Sequence, residues 1–484
     1  MFKLVLISIS ILYFFSACSI KEVKEPAPVY PVPNERQLAW HELEQYAFIH
    51  FTTNTFTGLE WGFGDESPSI FDPSELDAMQ WAKVVKDAGL KGIILTTKHH
   101  DGFCLWPSEY SKHTIAQSPY KNGNGDLVKE VSDACRAMGL KFGVYLSPWD
   151  RNRADYGHPS YIEYYRNQLK ELFTNYGPVF EMWFDGANGG DGYYGGANET
   201  RKINQLTYYD WPGTLDLVRQ MEPEVIFFSQ DGPDVRWCGN EKGYVGETNW
   251  NNFNKTPGFF EKEREVAEHD LNTGFENGKV WMPAEVDVSI RPGWFYHEEE
   301  DSLVKSSEEL FEIYLSSVGR GANLLLNIPP DKRGLIHEND VAALRGWKKI
   351  IDKAFSVNFA DNADINASNV RGNTKLFSPD NLIDGNKDTY WATDDEVNIA
   401  SFEIDLKKIQ EVNYLVIQEY IKLGQRVKSF RVDGWKNGAW TPVASATTIG
   451  YKRIVALEGV KTKNLRISIT DSKACPVISN VEVY

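Results

Sequence analysis

One pattern constrains the fold of this chain more than any other. A helical stretch closes on glycine, an apolar strand starts within a residue or two, and the strand runs out in polar or aromatic residues. It occurs in "AGLKGIILTTKHHDG" around Gly89, "MGLKFGVYLSPWD" around Gly139, "YGPVFEMWFDG" around Gly177 and "RGANLLLNIPP" around Gly321. In "EPEVIFFSQDG", Pro223 takes the punctuating place. Glycine after a helix supplies the left-handed cap, and strands apolar on both faces belong to parallel sheets. Residues 74–88, 126–138 and 306–318 carry the intervening helical pattern. In the second, Leu127, Val131, Ala134, Cys135 and Met138 share one face. The alternation predicts an α/β fold, a (β/α)8-type, TIM-like barrel over residues 38–356. A doubly wound sheet is the competing arrangement, but the chain carries no glycine-rich phosphate loop.

In such a barrel the C-terminal ends of the strands form the active face. In chain order those ends hold His50, then His99 and His100, Tyr145 with Trp149, Asp185, Asp231, and Glu285 with Asp287. After about residue 356 helical periodicity stops. Short alternating segments follow ("SFEIDL", "VNYLVIQEY", "SFRVDGW", "NLRISI", "ISNVEVY"), separated by Asn, Asp and Gly. They predict an all-β sandwich over residues 357–484. Every candidate site residue precedes it, so the sandwich is expected to be dispensable for a small soluble substrate.

The N-terminus reads as targeting rather than fold. Lys3 precedes the apolar run Leu4 to Ala17, too short to span a bilayer comfortably and shaped like a signal peptide (1–17). "FSAC" resembles a bacterial lipobox, which makes Cys18 the expected lipidated first mature residue. The alternative is ordinary signal cleavage near Ala17. The Pro-rich, polar residues 18–37 are expected to be a flexible tether. The chain is therefore expected to be an exported bacterial lipoprotein, periplasmic or at the outer membrane and cell surface, touching membrane only through that anchor. Cys104, Cys135, Cys238 and Cys475 are scattered, with neither disulfide nor zinc spacing. A formal charge of −17 argues against a nucleic-acid partner.

"TTKHHDGFCLW" crowds two histidines, an aspartate and two large aromatics at one strand end. Metal-binding barrels use His-x-His, because alternate strand residues face the same way. Adjacent histidines do not fit, so no active-site metal is expected, and recognition of a small hydroxylated ligand is the better reading. Asp185 ends a strand too apolar to carry an idle charge. A carboxylate nucleophile there, with a second carboxyl group as acid/base, is the retaining glycosidase arrangement.

Residues 40–355 resemble the α-L-fucosidases, family 29 of the glycoside hydrolases. The matching stretches are "YAFIHFTTNTF", "GLEWGFG", "TTKHHDGFCLW", "FGVYLSPWD", "MWFDGA", "GPDVRWCGNE", "DVSIRPGWFYH" and "NLLLNIPPDKRG". "RWCGNE" and "SIRPGWFYH" are similar to the subfamily acting on α-1,3- and α-1,4-linked fucose. The resemblance implies a retaining, exo-acting α-L-fucosidase with fucosylated, Lewis-type glycans as partners and no cofactor. It makes Asp185 the nucleophile and His50, Glu60, His99 and His100 ligands of the sugar hydroxyls. Trp61, Tyr145, Trp183 and Arg236 match further pocket positions, and Trp294 would pack on the sugar's methyl group. The acid/base is Glu241 in "CGNE" or Glu247 in "GETNW", with Glu241 preferred. "NLIDGNKDTYWAT" is similar to the start of a discoidin-like (factor 5/8 type C) module, which implies a carbohydrate-binding role and a possible structural Ca²⁺. Two other functions fit the residues: a barrel glycosidase of different sugar specificity, and an inactive sugar-binding lipoprotein.

Overall fold

The computed structural model describes residues 23–204, 207–229, 232–254 and 268–484. The expected signal peptide, Cys18 and Asp231 lie outside the described residues. Eight parallel strands close a barrel: β1 (Gln45–Ile49), β2 (Gly92–Lys98), β3 (Lys141–Leu146), β4 (Glu181–Trp183), β5 (Ile226–Ser229), β6 (Val235–Trp237), β7 (Ala284–Ser289) and β8 (Asn323–Asn327). Each pairs with its neighbours in sequence, and β8 closes on β1.

Strand alternation sorts the barrel residues into two apolar layers. Tyr46, Phe48, Ile94, Tyr145, Trp183, Ile226, Phe228, Val235 and Leu325 pack together inside the barrel. Ala47, Ile49, Ile93, Leu95, Val144, Met182, Val286 and Leu326 face the surrounding helices. Those helices start and stop where the sequence signals them. The helix Ala78–Asp87 is capped by the Asp77 side chain, and Leu127–Met138 by Asp126 at one end and left-handed Gly139 at the other. Ser307–Ser316 opens with a capping box between Ser306 and Glu309. One crossing departs from the regular pattern. Only residues 230–234 separate β5 from β6, too few for a helix.

The C-terminal domain is a seven-stranded antiparallel sheet: β9 (Asp364–Ala367), β10 (Trp391–Ala392), β11 (Ala400–Glu419), β12 (Val427–Lys436), β13 (Ala439–Ala446), β14 (Arg453–Ser472) and β15 (Val477–Val483). β11 and β14 are each 20 residues long. Register shifts between Asp405 and Gln410 and between Val412 and Tyr414 interrupt their pairing, and such irregularities bend a sheet. It encloses its own apolar core, which includes Trp391, Phe402, Leu415, Phe430 and Ile467.

The two domains share a seam. Phe355, at the end of the last barrel helix, packs its ring against Tyr414 (5.4 Å between centroids) and Tyr484 (5.2 Å). The Pro-rich N-terminal segment also differs from the expected tether over its described part. Val29 N–H donates to the Leu423 carbonyl (2.9 Å), Arg371 to the Lys24 carbonyl (2.6 Å) and Arg426 to the Ala27 carbonyl (2.7 Å). Lys24, Ala27 and Val29 are therefore bonded to the C-terminal domain, and the helix Glu35–His41 begins inside the span expected to be flexible. Composition shows low apolarity but not a partner surface offering donors to the segment's carbonyls.

Candidate active site

At the C-terminal face, Phe48, His50, Glu60, Trp61, His99, His100, Trp183, Asp185, Glu241, Asp287 and Trp294 line one cavity of about 120 Å³. His50 arrives by alternation, two residues beyond inward-facing Phe48. The two histidines after β2 need a different device. The β2–β3 pairing shifts register between Thr96 and Lys98. Lys98 turns outward to Asp150 (2.9 Å) and Gln168 (3.0 Å), and His99 turns inward to stack on Tyr145 (5.8 Å between centroids).

Burial keeps all three imidazoles neutral. It lowers His50 to about 3, His100 to about 4 against the pull of Asp185, and His99 well below the ordinary histidine value. Their partners then fix which nitrogen is protonated. The Asn327 amide nitrogen donates to Ser289 and to the Trp294 carbonyl, so its oxygen must accept from His50 Nδ1 (2.8 Å), which leaves Nε2 an acceptor. Ser147 donates to the Trp149 carbonyl and so accepts from His100 Nδ1 (2.7 Å), which makes Nε2 an acceptor again. Asn54 donates to His99 Nδ1 at 3.5 Å, which places the proton on Nε2. The three histidines thus offer two acceptors and one donor, a set suited to ring hydroxyls.

Asp185 lies two residues beyond β4. Its Oδ2 accepts from Tyr145 Oη (2.9 Å) and stands 3.7 Å from His100 Nε2, and its Oδ1 accepts from Ala187 N–H (2.7 Å). Burial, then the Asp185 charge, pushes the Tyr145 phenol well above its ordinary value, so it remains a donor. Glu241 stands at the cavity mouth and accepts from Trp294 Nε1 (3.2 Å). Burial, then the charges of Asp185 and Glu60, raises its pKa, while the Trp294 bond opposes the rise. A carboxyl whose pKa is raised near a second carboxylate has the chemistry of an acid/base next to a nucleophile.

The other expected residues divide. Trp183 forms part of the floor, its Nε1 donating to Glu285 (3.0 Å). Trp61 is 55% exposed at the rim, edge-on to His100. Trp294 forms a wall 5.3 Å from the His50 ring. Glu60 lines the cavity, but its carboxylate already accepts from Trp294 N–H (2.9 Å), Phe295 N–H (3.3 Å) and His297 Nε2 (2.7 Å), so it fastens the loop carrying Trp294.

One expectation is corrected, and one alternative is placed elsewhere. Arg236 is not in the pocket. It alternates with inward-facing Val235 and Trp237, and so points out of the barrel. Its guanidinium there bonds the carbonyls of Leu271 (2.9 Å), Met282 and Trp250 (3.1 Å) and the Asn249 side chain (3.2 Å). Glu247 is not in the pocket either. Its carboxylate pairs with Arg320 of the barrel and Arg453 of the C-terminal domain. Two residues at or behind the pocket wall, Asp287 and Asn327, had no assigned role in the sequence reading. Asp287 was visible only as a strand-end carboxylate. Asn327, which sets the His50 tautomer, was visible only as the polar residue after "NLLL". Among the described residues, the ligand atoms close enough to share a metal ion are those of Asp331, His337 and Glu338, none of which lines this cavity.

Comparison with known proteins places the chain in one family. The family model described as alpha-L-fucosidase matches residues 16–352, and the F5/8 type C domain model matches residues 364–483. Alpha-L-fucosidase 1 of Arabidopsis thaliana is 39% identical, over 98% of this chain and 92% of its own. Among solved structures, a putative alpha-L-fucosidase from Bacteroides thetaiotaomicron superposes with a TM-score of 0.86 at 40% identity, over 95% of this chain and 99% of its own. A Ruminococcus gnavus GH29 fucosidase solved in complex with fucose gives 0.85 at 33% identity, over 96% of each chain.

Proposed function

The chain belongs to the alpha-L-fucosidase family of glycoside hydrolases, and from that premise we propose a retaining, exo-acting enzyme that releases L-fucose from α-1,3/1,4-fucosylated oligosaccharides. The observation that carries the mechanism is how the pocket's four carboxyl groups are used. Glu60 is tied to the Trp294 loop and Asp287 is buried, which leaves Asp185 on the floor side and Glu241 at the mouth. Asp185 attacks the anomeric carbon while Glu241 protonates the departing glycosidic oxygen. The resulting covalent fucosyl-enzyme is opened by a water that Glu241 deprotonates, which regenerates both groups. No cofactor is required. Tyr145 and the Ala187 N–H hold Asp185 in one orientation. His50, His99 and His100 bind ring hydroxyls, and the Trp294 wall faces the C5 methyl. A galactose-like ring would bury an unpaired hydroxyl against that wall and be rejected.

The test is to trap the intermediate with 2-deoxy-2-fluoro-fucosyl fluoride and map the labelled peptide, while following the first-formed anomer by NMR. Label on Asp185 with α-L-fucose released first is expected. Label on another residue, or β-L-fucose first, overturns the assignment. Linkage is tested on α-1,2-, α-1,3- and α-1,4-fucosylated oligosaccharides, and preference for the α-1,2 linkage overturns that part. The run Leu4–Ala17 followed by Cys18 supports export and a lipid anchor. Cys18→Ala is expected to move the protein from membranes to the soluble fraction, and unchanged membrane association refutes the anchor.

A further inference from the structure

One carboxyl group of the pocket has no part in the mechanism above. Asp287 is on β7, where Ala284, Val286 and Val288 pack outward and Glu285, Asp287 and Ser289 face inward. Its Oδ1 accepts from Trp237 Nε1 at 2.7 Å. Among the described residues its only other donor is its own backbone N–H, and no described cation pairs with it. Yet the residue is only 3% exposed and borders the cavity with Phe48, Trp183 and Trp294. A buried polar group with unused capacity is destabilising unless something arrives to meet it. What arrives in this cavity is a sugar.

We propose that Asp287 contacts the substrate directly, its free carboxyl oxygen hydrogen-bonding a ring hydroxyl of fucose bound beside Glu241. Burial first, then the charges of Glu241 and Glu285, pushes the Asp287 carboxyl well above the ordinary range. That shift favours the protonated form, which can donate as well as accept. A neutral group also adds no negative charge beside the Asp185 carboxylate. The inference rests on the pocket being the fucose site.

The experiment compares Asp287→Asn and Asp287→Ala on an aryl α-L-fucoside and on its monodeoxy analogues, with Asp185→Gly as control. Asparagine keeps the shape, the neutrality and a donor. Asp287→Ala is expected to lower kcat/KM about 30-fold, the size expected for losing a hydrogen bond to a buried polar group. Asp287→Asn is expected to recover activity to within about fivefold of wild type, since one neutral donor replaces another. One monodeoxy fucoside should be a poor substrate for wild type yet show no added penalty in Asp287→Ala, because the contact is already gone. A merely structural role would lower all the analogues alike and would not produce that coupling. The proposal is overturned by near-wild-type kcat/KM in Asp287→Ala, by Asp287→Asn as impaired as Asp287→Ala at unchanged Tm, or by penalties that add for every analogue. If Asp287→Ala does not fold, the deoxy series on Asp287→Asn decides, with coupling supporting the contact and additivity refuting it. An active Asp185→Gly would instead show that the pocket reading itself is wrong.

Discussion

The pocket and the seam between the domains draw on the same loop, and they use its two glutamates in opposite ways. Glu241 reaches the cavity mouth with one partner, the Trp294 indole, and no described cation beside it. Glu247, six positions on, is 66% exposed at its side chain yet held between Arg320 and Arg453, while its carbonyl accepts from Thr447 (2.6 Å) and Arg453 (2.7 Å). Beside it, Thr448 accepts from Asn249 N–H (2.9 Å), and Gln425 bonds Asn251 N–H (2.8 Å) and the Asn249 carbonyl (2.9 Å). A carboxyl group surrounded by other carboxyls is suited to carry a proton. One clasped by two guanidiniums serves as a fastener. The C-terminal domain is thus attached to the loop that bears the expected acid/base, which alters the expectation that it is dispensable for small substrates.

The largest effect tests the pocket alone. Asp185→Gly is expected to reduce turnover by several orders of magnitude, because the covalent step disappears. Azide should restore part of the activity and give the inverted fucosyl azide, one displacement replacing two. Near-wild-type turnover would remove Asp185 from its role.

Next in size is Glu241→Gln, expected to cost about 10²- to 10⁴-fold on glycans whose departing oxygen needs a proton. The loss in the first step should be smaller on an activated aryl fucoside. The pH profile sharpens the contrast. The group must be protonated for the first step, so activity falls as pH rises through its pKa. That pKa is raised, so the falling limb stands above the ordinary carboxyl range. Glu241→Gln should lose this limb. Retention of the limb, or equal losses on both substrates, would move the acid/base elsewhere.

The barrel was legible because parallel strands are apolar on both faces and glycine caps mark their starts. His50, His99, His100 and Asp185 were legible because strand ends face the cavity, although the register shift that turns His99 inward leaves no mark in "TTKHH". Arg236 was misread. In a three-residue strand, parity decides everything, and fixing Val235 or Trp237 inward sends Arg236 outward. The choice between Glu241 and Glu247 stayed open because an irregular loop has no period to read. The partners that separate them, Trp294 and Arg453, come from 53 and 206 positions away in the chain. The five-residue β5–β6 connection was visible as spacing, but the strand Val235–Trp237 is too short and mixed to announce itself.

A smaller effect tests the seam. Arg453→Ala removes the C-terminal domain's charged grip on the loop without touching the pocket. Arg453 is nearly buried, and losing a hydrogen-bonded partner of a charged group costs about 1–3 kcal/mol. The exposed Glu247 side chain places the loss at the lower end. The expected result is a lower Tm and a several-fold drop in kcat on an aryl fucoside, with the pH profile keeping its shape. Unchanged kcat at a lowered Tm would show that the seam stabilises the molecule without positioning Glu241.

The smallest effect belongs to Glu247→Gln, and it is the most discriminating. Glutamine keeps the length of the side chain and an acceptor oxygen for one arginine, and each arginine keeps the backbone carbonyl it already bonds, Val245 for Arg320 and Glu247 for Arg453. What disappears is the charge, and an exposed ion pair contributes about 0–1 kcal/mol. The backbone bonds at the Glu247 carbonyl, Asn249 and Asn251 do not depend on that charge, so the loop should hold its course. Turnover is therefore expected within about twofold of wild type, because an exposed pair is worth so little. KM should be unchanged, the alkaline limb of the pH profile intact, and the activities on good and poor leaving groups in their wild-type ratio. Added salt should shrink the stability difference between the two proteins, since it screens the pair that the substitution removes. If Glu247→Gln instead loses activity mainly on poor leaving groups, and loses the alkaline limb, the loop rearranges during the reaction and the fastener is the acid. Glu241 would then be the residue that binds the neighbouring sugar, and the contrast between pocket and seam would be reversed.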